Sequence, residues 1–535
     1  MPRFTWTILI ALTACTPDDG EKSTPDDVQG PVGPTDTDTV PVDTDTDASP
    51  TDTDTDTDAD PPGACAPDPA LTVTSVTATP GLISTLVEVA VELSAPASAG
   101  VQCTAVLDPT EIFFGESAET LTSHTVRLSG LMPGQEYTCS AAPICPTQAG
   151  PATAFTYATG APPSDLRRLT VQADPVLGMQ GSWTVAPFTL NAFTGDTWFV
   201  AWGPDGGVRW WWPAPADVGM WVELLWYPLQ GEFVWGGGMD EQGRIRRVSM
   251  WDGETYAWAP PGWQDVEFHH DGKQIDDGRL LTLEIRENKR GNVTWDGFGI
   301  RLHDPVTGTV DFDYNSQILA DEGHLPPGSG GFGGSDPWHA NWIGYYDTPT
   351  GPEAYVSLCF SQQILALDGV TGDLLWQLGR DLGWTVLDEF GADIGEDALP
   401  QCQHGLEVVN GKILVYDNGQ DRNMSSASEW TVDAATMTAT RLWIWSEAGW
   451  KEDYIGDIDY LPNDRILVTE AAQTNVTEIV EVERATGAVA SRVLFDNGGT
   501  TYRSERYLGC DMFTSVKACD TLATRYAEVA PLLVP

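Results

Sequence analysis

Positive charge is scarce in this chain. Its 535 residues carry 27 lysines and arginines against 78 aspartates and glutamates, a formal net charge of −51. Nucleic acid is bound by clustered cations that displace counterions from the phosphates, and no basic stripe is present to do so. That partner class is excluded. Long apolar runs are missing after the first fifteen residues; nothing later approaches the ~20 residues of a membrane-spanning helix. Several enzyme signatures are absent too: there is no GxSxG elbow, HExxH pair, Walker-type loop or EF-hand spacing. No CxxC pair or Cys/His cluster frames a zinc ion. No cofactor and no metal are expected, and a quinoprotein-like dehydrogenase lacks clear cofactor contacts.

What is present begins with an export signal over residues 1–15. Arg3 supplies the positive start, Trp6–Leu12 the apolar stretch, and Leu12-Thr13-Ala14-Cys15 a tetrapeptide like a bacterial lipobox. Cleavage before Cys15 and a lipid on its sulfur are expected. The chain would then be anchored to the bacterial cell envelope, at the outer membrane, in the periplasm or on the cell surface, with the lipid as its sole membrane contact. Residues 16–65 follow as a Thr/Asp-rich linker; between Thr16 and Pro62 fifteen acidic residues face one lysine. With almost no large apolar side chains, this segment is expected to be a disordered acidic tether.

Residues 66–162 alternate apolar and polar positions between closely spaced turns, as in Val87–Leu93, and read as a small β-sandwich. The piece LSGLMPGQEYTCSA (128–141) resembles the fibronectin type III pattern. Setting Cys15 aside, eight cysteines remain, an even number that points to disulfides in an exported protein. Nearness favours Cys510–Cys519, and Cys359 with Cys402 can join adjacent repeats. Cys65, Cys103, Cys139 and Cys145 fall together upstream.

Residues 163–535 are rich in tryptophan, glycine and short strands. Turns of the form (Asp/Asn)-x-x-Thr-Gly recur at Asn191–Gly195, Asp304–Gly308 and Asp368–Gly372, with degenerate forms at Asp252–Thr255, Asp433–Met437 and Glu483–Gly487. Such regular repetition of short-strand units marks an all-β chain built as a six-bladed β-propeller. A second pattern runs in phase with it. QCQHGLEVVNGKILVYDNG (401–419) puts His404 ahead of an Asn-Gly turn and a strand, and HHDGKQIDDGRLLTLE (269–284) does the same with His270. WHANWIGYYDTPTGPEAYVSLC (338–359) is a looser copy led by His339, and DIDYLPNDRILVTE (457–470) has Asp457 in the leading place. Radial packing of such units brings equivalent positions to one axis. The remaining histidines, His124, His303 and His324, fall outside the pattern and are expected to be structural, as are most tryptophans, including Trp338 and Trp342.

The HHD element (269–271), the WHAN element (338–341), DGVTGDLLWQLG (368–379) and the run Gln403–Gly419 followed by Arg422 together resemble the bacterial aryl-sulfate sulfotransferases. The resemblance implies a six-bladed propeller that moves a sulfuryl group from a phenolic sulfate ester to a phenol without adenylyl sulfate. It implies His404 as the nucleophile, passing through a sulfohistidine, with His270 or His269, His339 and Asn341 holding the sulfuryl oxygens or supplying a proton. Aryl sulfate and phenol are the expected small-molecule partners; oligomeric state is left open. One departure stands out. Where the resemblance leads one to expect an arginine after the WHAN strand, this chain has Phe360. A phenyl ring cannot clamp sulfuryl oxygens as a guanidinium does. Arg422 and Lys412 are the substitutes in reach of the sequence argument. The alternative is a surface propeller that has lost turnover and binds a ligand or partner protein.

Overall fold

The computed structural model describes residues 71–144, 151–166, 168–180, 183–189, 197–214, 223–227, 231–236, 245–258, 267–275, 277–325, 335–453, 455–471, 477–495 and 499–534. The export signal, the linker, Cys65 and Cys145 lie outside these residues. The described chain is all-β, with one short helix inside the body, Gln317–Glu322, and another near its end, Asp520–Val529.

The first module is one antiparallel five-stranded sheet organised around the long strand Leu86–Ala105. That strand pairs with Val73–Pro80 on one side of its first half, with Ile112–Ser129 along most of its length, and with Glu136–Ile144 over its second half. Its alternating residues Val87, Val89, Val91, Val101 and Cys103 face a closed apolar core. Cys103 and Cys139 are cross-strand partners joined by a disulfide. Two residues before Cys139, the Tyr137 hydroxyl receives a hydrogen bond from the Met132 amide at 2.7 Å. A tyrosine bonding back to the backbone a few residues upstream pins the corner of many β-sandwiches.

The body consists of antiparallel meanders. Strand Glu505–Tyr507 pairs with Trp183–Thr189, followed by Thr197–Trp202 and Val208–Pro213. Next come Glu223–Tyr227 to Gly253–Trp258, then Glu267–Gln274 to Val310–Asn315. These two meanders share a single register pair, Gly236 with Gly272. Ala340–Thr348 to Leu374–Gly379 form a four-stranded sheet. Leu406–Val409 to Thr438–Trp445 take Thr385–Asp388 as an extra parallel strand. The last meander, Asp457–Leu461 to Ala488–Leu494, takes up Thr170–Ala173 from the start of the body. The body's two ends are thus stitched together twice.

The repeating turns have a common mechanism. Oδ1 of Asp304 accepts the amides of Val306 and Thr307, Asp368 those of Val370 and Thr371, and Asp433 those of Ala435 and Thr436. A short acceptor side chain two or three residues ahead of free amides fixes the hairpin between the third and fourth strands. These amides also hold Asp304 and Asp368 below the usual aspartate range, and the Thr436 hydroxyl, then its amide, does the same for Asp433. Central strands such as Gln363–Asp368 and Arg465–Glu470 are apolar on both faces, ILAL and ILVT, because each sheet is covered on two sides. The apolar clusters accordingly lie between consecutive meanders, and one joins the last to the first through Leu467, Ile479, Phe188 and Trp202.

First strands lie side by side. Glu223–Tyr227, Glu267–Gln274, Ala340–Thr348, Leu406–Val409 and Asp457–Leu461 each neighbour the next. Gly405 is required by this crowding, since a Cβ there would stand 2.7 Å from the Asp457 Cα. The chain after Glu505–Tyr507 leaves the body and packs on the first module. Cys510–Cys519 closes a loop, Phe114 donates its amide to Thr514, and Arg525 pairs with Glu116 at 2.9 Å.

Candidate active site

The histidines stand at the leading ends of neighbouring first strands, where backbone irregularities aim them. His270 has φ 62° and lies within a register slip between Phe268 and Gly272. His339 has φ 52° and directly precedes a slip between Ala340 and Trp342. Positive φ is costly for a residue with a Cβ, by about 1–3 kcal/mol, and persists only where the surroundings over-determine it. Bulges of this kind redirect a side chain out of the ladder. Here they turn two imidazoles toward each other, His270 Nε2 lying 3.1 Å from His339 Nε2. His269 is part of the same cluster, its ring centre 4.2 Å from that of His270 and 5.1 Å from that of His339. Asp336 anchors the group: Nδ1 of His339 donates to Oδ2 at 2.7 Å, and the His339 amide donates to Oδ1 at 2.8 Å.

His404 enters from the next unit. Its Nδ1 donates to Oδ1 of Asn418 at 2.8 Å and to the Cys402 carbonyl at 3.0 Å. The Asn418 amide nitrogen is spent on the carbonyls of Glu452 and Ile455, so its oxygen is the end that faces the ring. Both partners of Nδ1 are acceptors, which places the hydrogen on Nδ1 and the lone pair of the neutral ring on Nε2. The disulfide Cys359–Cys402 ties this strand start to the previous unit, where the Cys359 amide bonds to the His339 carbonyl. Between His270 and His404 stands Tyr502, its ring centre 6.1 Å from each.

Arg503 follows Tyr502 and is buried beneath the cluster. Its guanidinium lies 3.2 Å from Oδ1 of Asp271 and donates to the Asn341 carbonyl at 2.9 Å. The other oxygen of Asp271 accepts the Ile343 amide. Asn341 does not spend its amide on the cavity; Nδ2 donates to the carbonyl of Gln403 at 2.8 Å, fixing the peptide ahead of His404.

Burial sets the protonation states. It pushes His404 down to about 3, with His339 and Arg503 adding to the effect and the Asn418 and Cys402 bonds opposing it. Burial holds His269 at about 4 and takes His270 well below the ordinary imidazole range, with its neighbouring imidazoles and Arg503 pressing the same way. Burial works to raise Asp336, but its bonds to His339 and the nearness of His269 outweigh that and leave it below the usual value. These rings are neutral near pH 7, which suits nucleophiles and metal ligands alike. The ring nitrogens of His269, His270 and His339 lie within 4.8 Å of one another, close enough to hold one metal ion.

The structure therefore gathers His269, His270 and His339 into one cluster. It sets His404 within electrostatic reach across Tyr502, and gives Asn341 a supporting place. Phe360 stacks on the His339 ring at 4.4 Å, so it does border the site. The two cations considered from the sequence are elsewhere: Arg422 binds Asp417 and the carbonyls of Asp397 and Leu399, and Lys412 pairs with Glu429. Among the described residues, the arginine that acts on both His270 and His404 is Arg503. It escaped the sequence argument because the strand it precedes is three residues long and carries no histidine. Its one signal was its place at a strand start, equivalent to that of His404. Of the residues set aside as structural, His124 bonds Ser117 and the Leu121 carbonyl, and Trp338 packs on Trp295 and Phe298.

Along the same first strands is a cavity of about 550 Å³, bordered by Tyr227, Lys273, Trp342, Glu407, Asp457 and Glu505. Trp342 is buried in the apolar cluster with Tyr355 and Leu406, as expected of a packing residue, and also borders this cavity with Lys273 4.8 Å from its ring centre.

Strand starts of this β-rich body thus bring neutral imidazoles together near a buried arginine. The arylsulfotransferase (ASST) family matches residues 190–503, and the chain belongs to that family. No curated protein matches the chain in sequence. Solved structures with a similar course include TolB from Acinetobacter baumannii, 11% identical over 69% of this chain and 78% of that one, TM-score 0.35. Another is the β-propeller domain of Cps50 (Swd1) from Myceliophteria thermophila, 10% identical over 62% of this chain and 97% of that one, TM-score 0.34.

Proposed function

We propose that the body is a six-bladed propeller whose axial histidines transfer a sulfuryl group from a phenolic sulfate ester to a phenol. The observation that carries this reading is the tautomer of His404, whose Nδ1 is committed to Asn418 and Cys402. Its Nε2 attacks sulfur; the N–S bond forms as the S–O bond to the aryl group breaks, giving a sulfohistidine. The aryl oxygen leaves as the phenolate and takes its proton from solvent. In the second half the acceptor phenol gives its proton to Nε2 of His339, whose Nδ1–H is backed by Asp336, and its oxygen attacks sulfur, releasing His404; His339 then passes the proton to solvent. Charge on the equatorial oxygens is met by Arg503, in a loose transition state where placement and electrostatics do most of the work. Apolar clusters shared by consecutive meanders, and the double stitching of the body's ends, support the six-bladed count.

The first module is a fibronectin type III-like spacer in this reading, supported by the Tyr137 corner. Export with a lipid on Cys15 accords with three disulfides among the described residues, which persist in oxidising compartments. The test is incubation with 4-nitrophenyl sulfate and a phenol acceptor. Nitrophenolate should appear with the parent protein and fall to background with His404→Ala. Equal rates for the two would end the proposal. Phe360 on the face of His339 favours a second reading, a propeller that binds a sulfate ester without turning it over; binding without nitrophenolate release would select it.

A further inference from the structure

The geometry points to a divalent transition-metal site at His269, His270 and His339, in which the ion takes the place of the hydrogen between the two facing Nε2 atoms. Ring nitrogens of all three lie within 4.8 Å of one another. Two nitrogens bound at about 2.0–2.1 Å in a tetrahedron stand about 3.3 Å apart, and His270 and His339 already hold theirs at 3.1 Å. Little movement is needed to admit the ion. His339 also has the outer partner such a ligand takes, because its other nitrogen donates to Asp336 at 2.7 Å. A carboxylate on the far nitrogen of a ligating histidine fixes the tautomer and raises ring basicity. With hydrogen on Nδ1, His339 offers its Nε2 lone pair toward His270. Binding asks His270 only to change tautomer, its proton moving from Nε2 to Nδ1. His269 and His339 keep 17% and 16% of their side-chain surface exposed, so the cluster is open to solvent ions. Three imidazoles suit zinc, copper or cobalt over the hard cations that prefer oxygen.

Such an ion also occupies the His339 nitrogen that takes the acceptor's proton in the transfer reaction. Filling the site should therefore switch turnover off, a consequence that rests on the function proposed above. Binding itself does not rest on it.

The experiment titrates the full chain with Co²⁺, followed by its visible d–d absorbance and by the shift in melting temperature. One equivalent should give tetrahedral bands and raise the melting temperature, since an ion bound to the native state stabilises it. His269→Asn and His339→Asn should melt cooperatively yet lose both effects. Asp336→Asn should bind about 10- to 100-fold more weakly, and His404→Ala should bind as the parent does. Absence of bands in the parent, or bands that persist in folded His269→Asn and His339→Asn, would overturn the site. Adding Zn²⁺ to the 4-nitrophenyl sulfate assay should abolish turnover and a chelator restore it. Bands without any turnover in the metal-free protein would refute the transferase reading and leave the metal site standing.

Discussion

Oδ1 of Asn418 lies 2.8 Å from Nδ1 of His404, and the amide nitrogen of the same asparagine is held by two backbone carbonyls. The asparagine cannot turn over without abandoning both. It therefore dictates which nitrogen of His404 is free to attack. In serine hydrolases a carboxylate orients the histidine and also stabilises its charged form. Here a neutral amide orients the ring and leaves it easier to keep uncharged.

A pH profile follows from that choice. Burial lowers His404 to about 3, so its neutral form persists far below the pH at which an ordinary imidazole protonates. The acid limb of kcat/KM should accordingly lie well below ~6.5, the unperturbed histidine value. Asn418→Asp keeps an acceptor on Nδ1 but adds a negative charge, which favours imidazolium. The acid limb should move up in that variant, with activity retained on the alkaline side. An unmoved limb would separate His404 from the rate-determining chemistry. The same burial acts on stability. With the folded-state value below the unfolded one, the buried ring's contribution is complete above ~6.5 and is lost as pH falls toward the folded value, because the unfolded chain binds the proton first.

Arg503 and Asp271 form a pair with almost no access to water. Removing Arg503 leaves buried Asp271 to Lys273, 3.6 Å away; breaking a buried pair costs up to about 3–5 kcal/mol, whereas replacing both members with neutral groups can be nearly free. Arg503→Met should lower the melting temperature sharply, and Arg503→Met with Asp271→Asn should recover most of the loss. Nitrophenolate release should not recover in the double variant, falling by about 10²–10³ as when a transition-state hydrogen-bond donor is removed. Recovery of both stability and turnover would make the arginine purely structural.

The contrast between His339 and Arg503 explains what could be read in advance. Turn spacing sets the repeat, and within one repeat a leading residue has a fixed place, so the meeting of His270 and His339 is legible without coordinates. Their exact approach is not, because it depends on bulges at Phe268–Gly272 and Ala340–Trp342 that leave no mark on the alternation. Arg503 lies two residues ahead of a strand supplied from the end of the body, where the repeat is broken and only three residues pair. Asn341 was recognisable as a site residue, but its partner, the Gln403 carbonyl, is backbone and carries no sequence signature. The Cys359–Cys402 pairing was legible because the two cysteines sit in adjacent repeats.

That disulfide gives a prediction of its own. It closes a loop with a sequence separation of 43 and ties the strand start that carries His404 to the end of strand Gly351–Leu358, where the Cys359 amide bonds to the His339 carbonyl. Chain-entropy arguments assign a loop of this length about 4 kcal/mol. Cys359→Ala with Cys402→Ala should lower stability by that order in urea unfolding. It should also loosen the spacing of the two histidines, reducing kcat more than it raises KM. Loss of stability with kinetics unchanged would confine the bond to a structural role.

Phe360 offers the sharpest comparison, because its ring lies 4.4 Å from that of His339 and parallel to within 23°. A ring stacked there limits tilting of the imidazole but supplies no hydrogen bond to a sulfuryl oxygen. Phe360→Arg brings a planar, permanently charged fork to the same face, able to bind two oxygens at once. It also adds positive charge beside imidazoles that already feel Arg503, which disfavours their protonated forms further. If Arg503 already provides the cation for transfer, the variant should change turnover by less than about tenfold, the effect of 1.4 kcal/mol at the barrier. If the parent binds sulfate esters without turnover, the same substitution should create nitrophenolate release where there was none. Measuring 4-nitrophenyl sulfate binding and turnover in both proteins, with His404→Ala as the background, decides between a working transferase and a retired one.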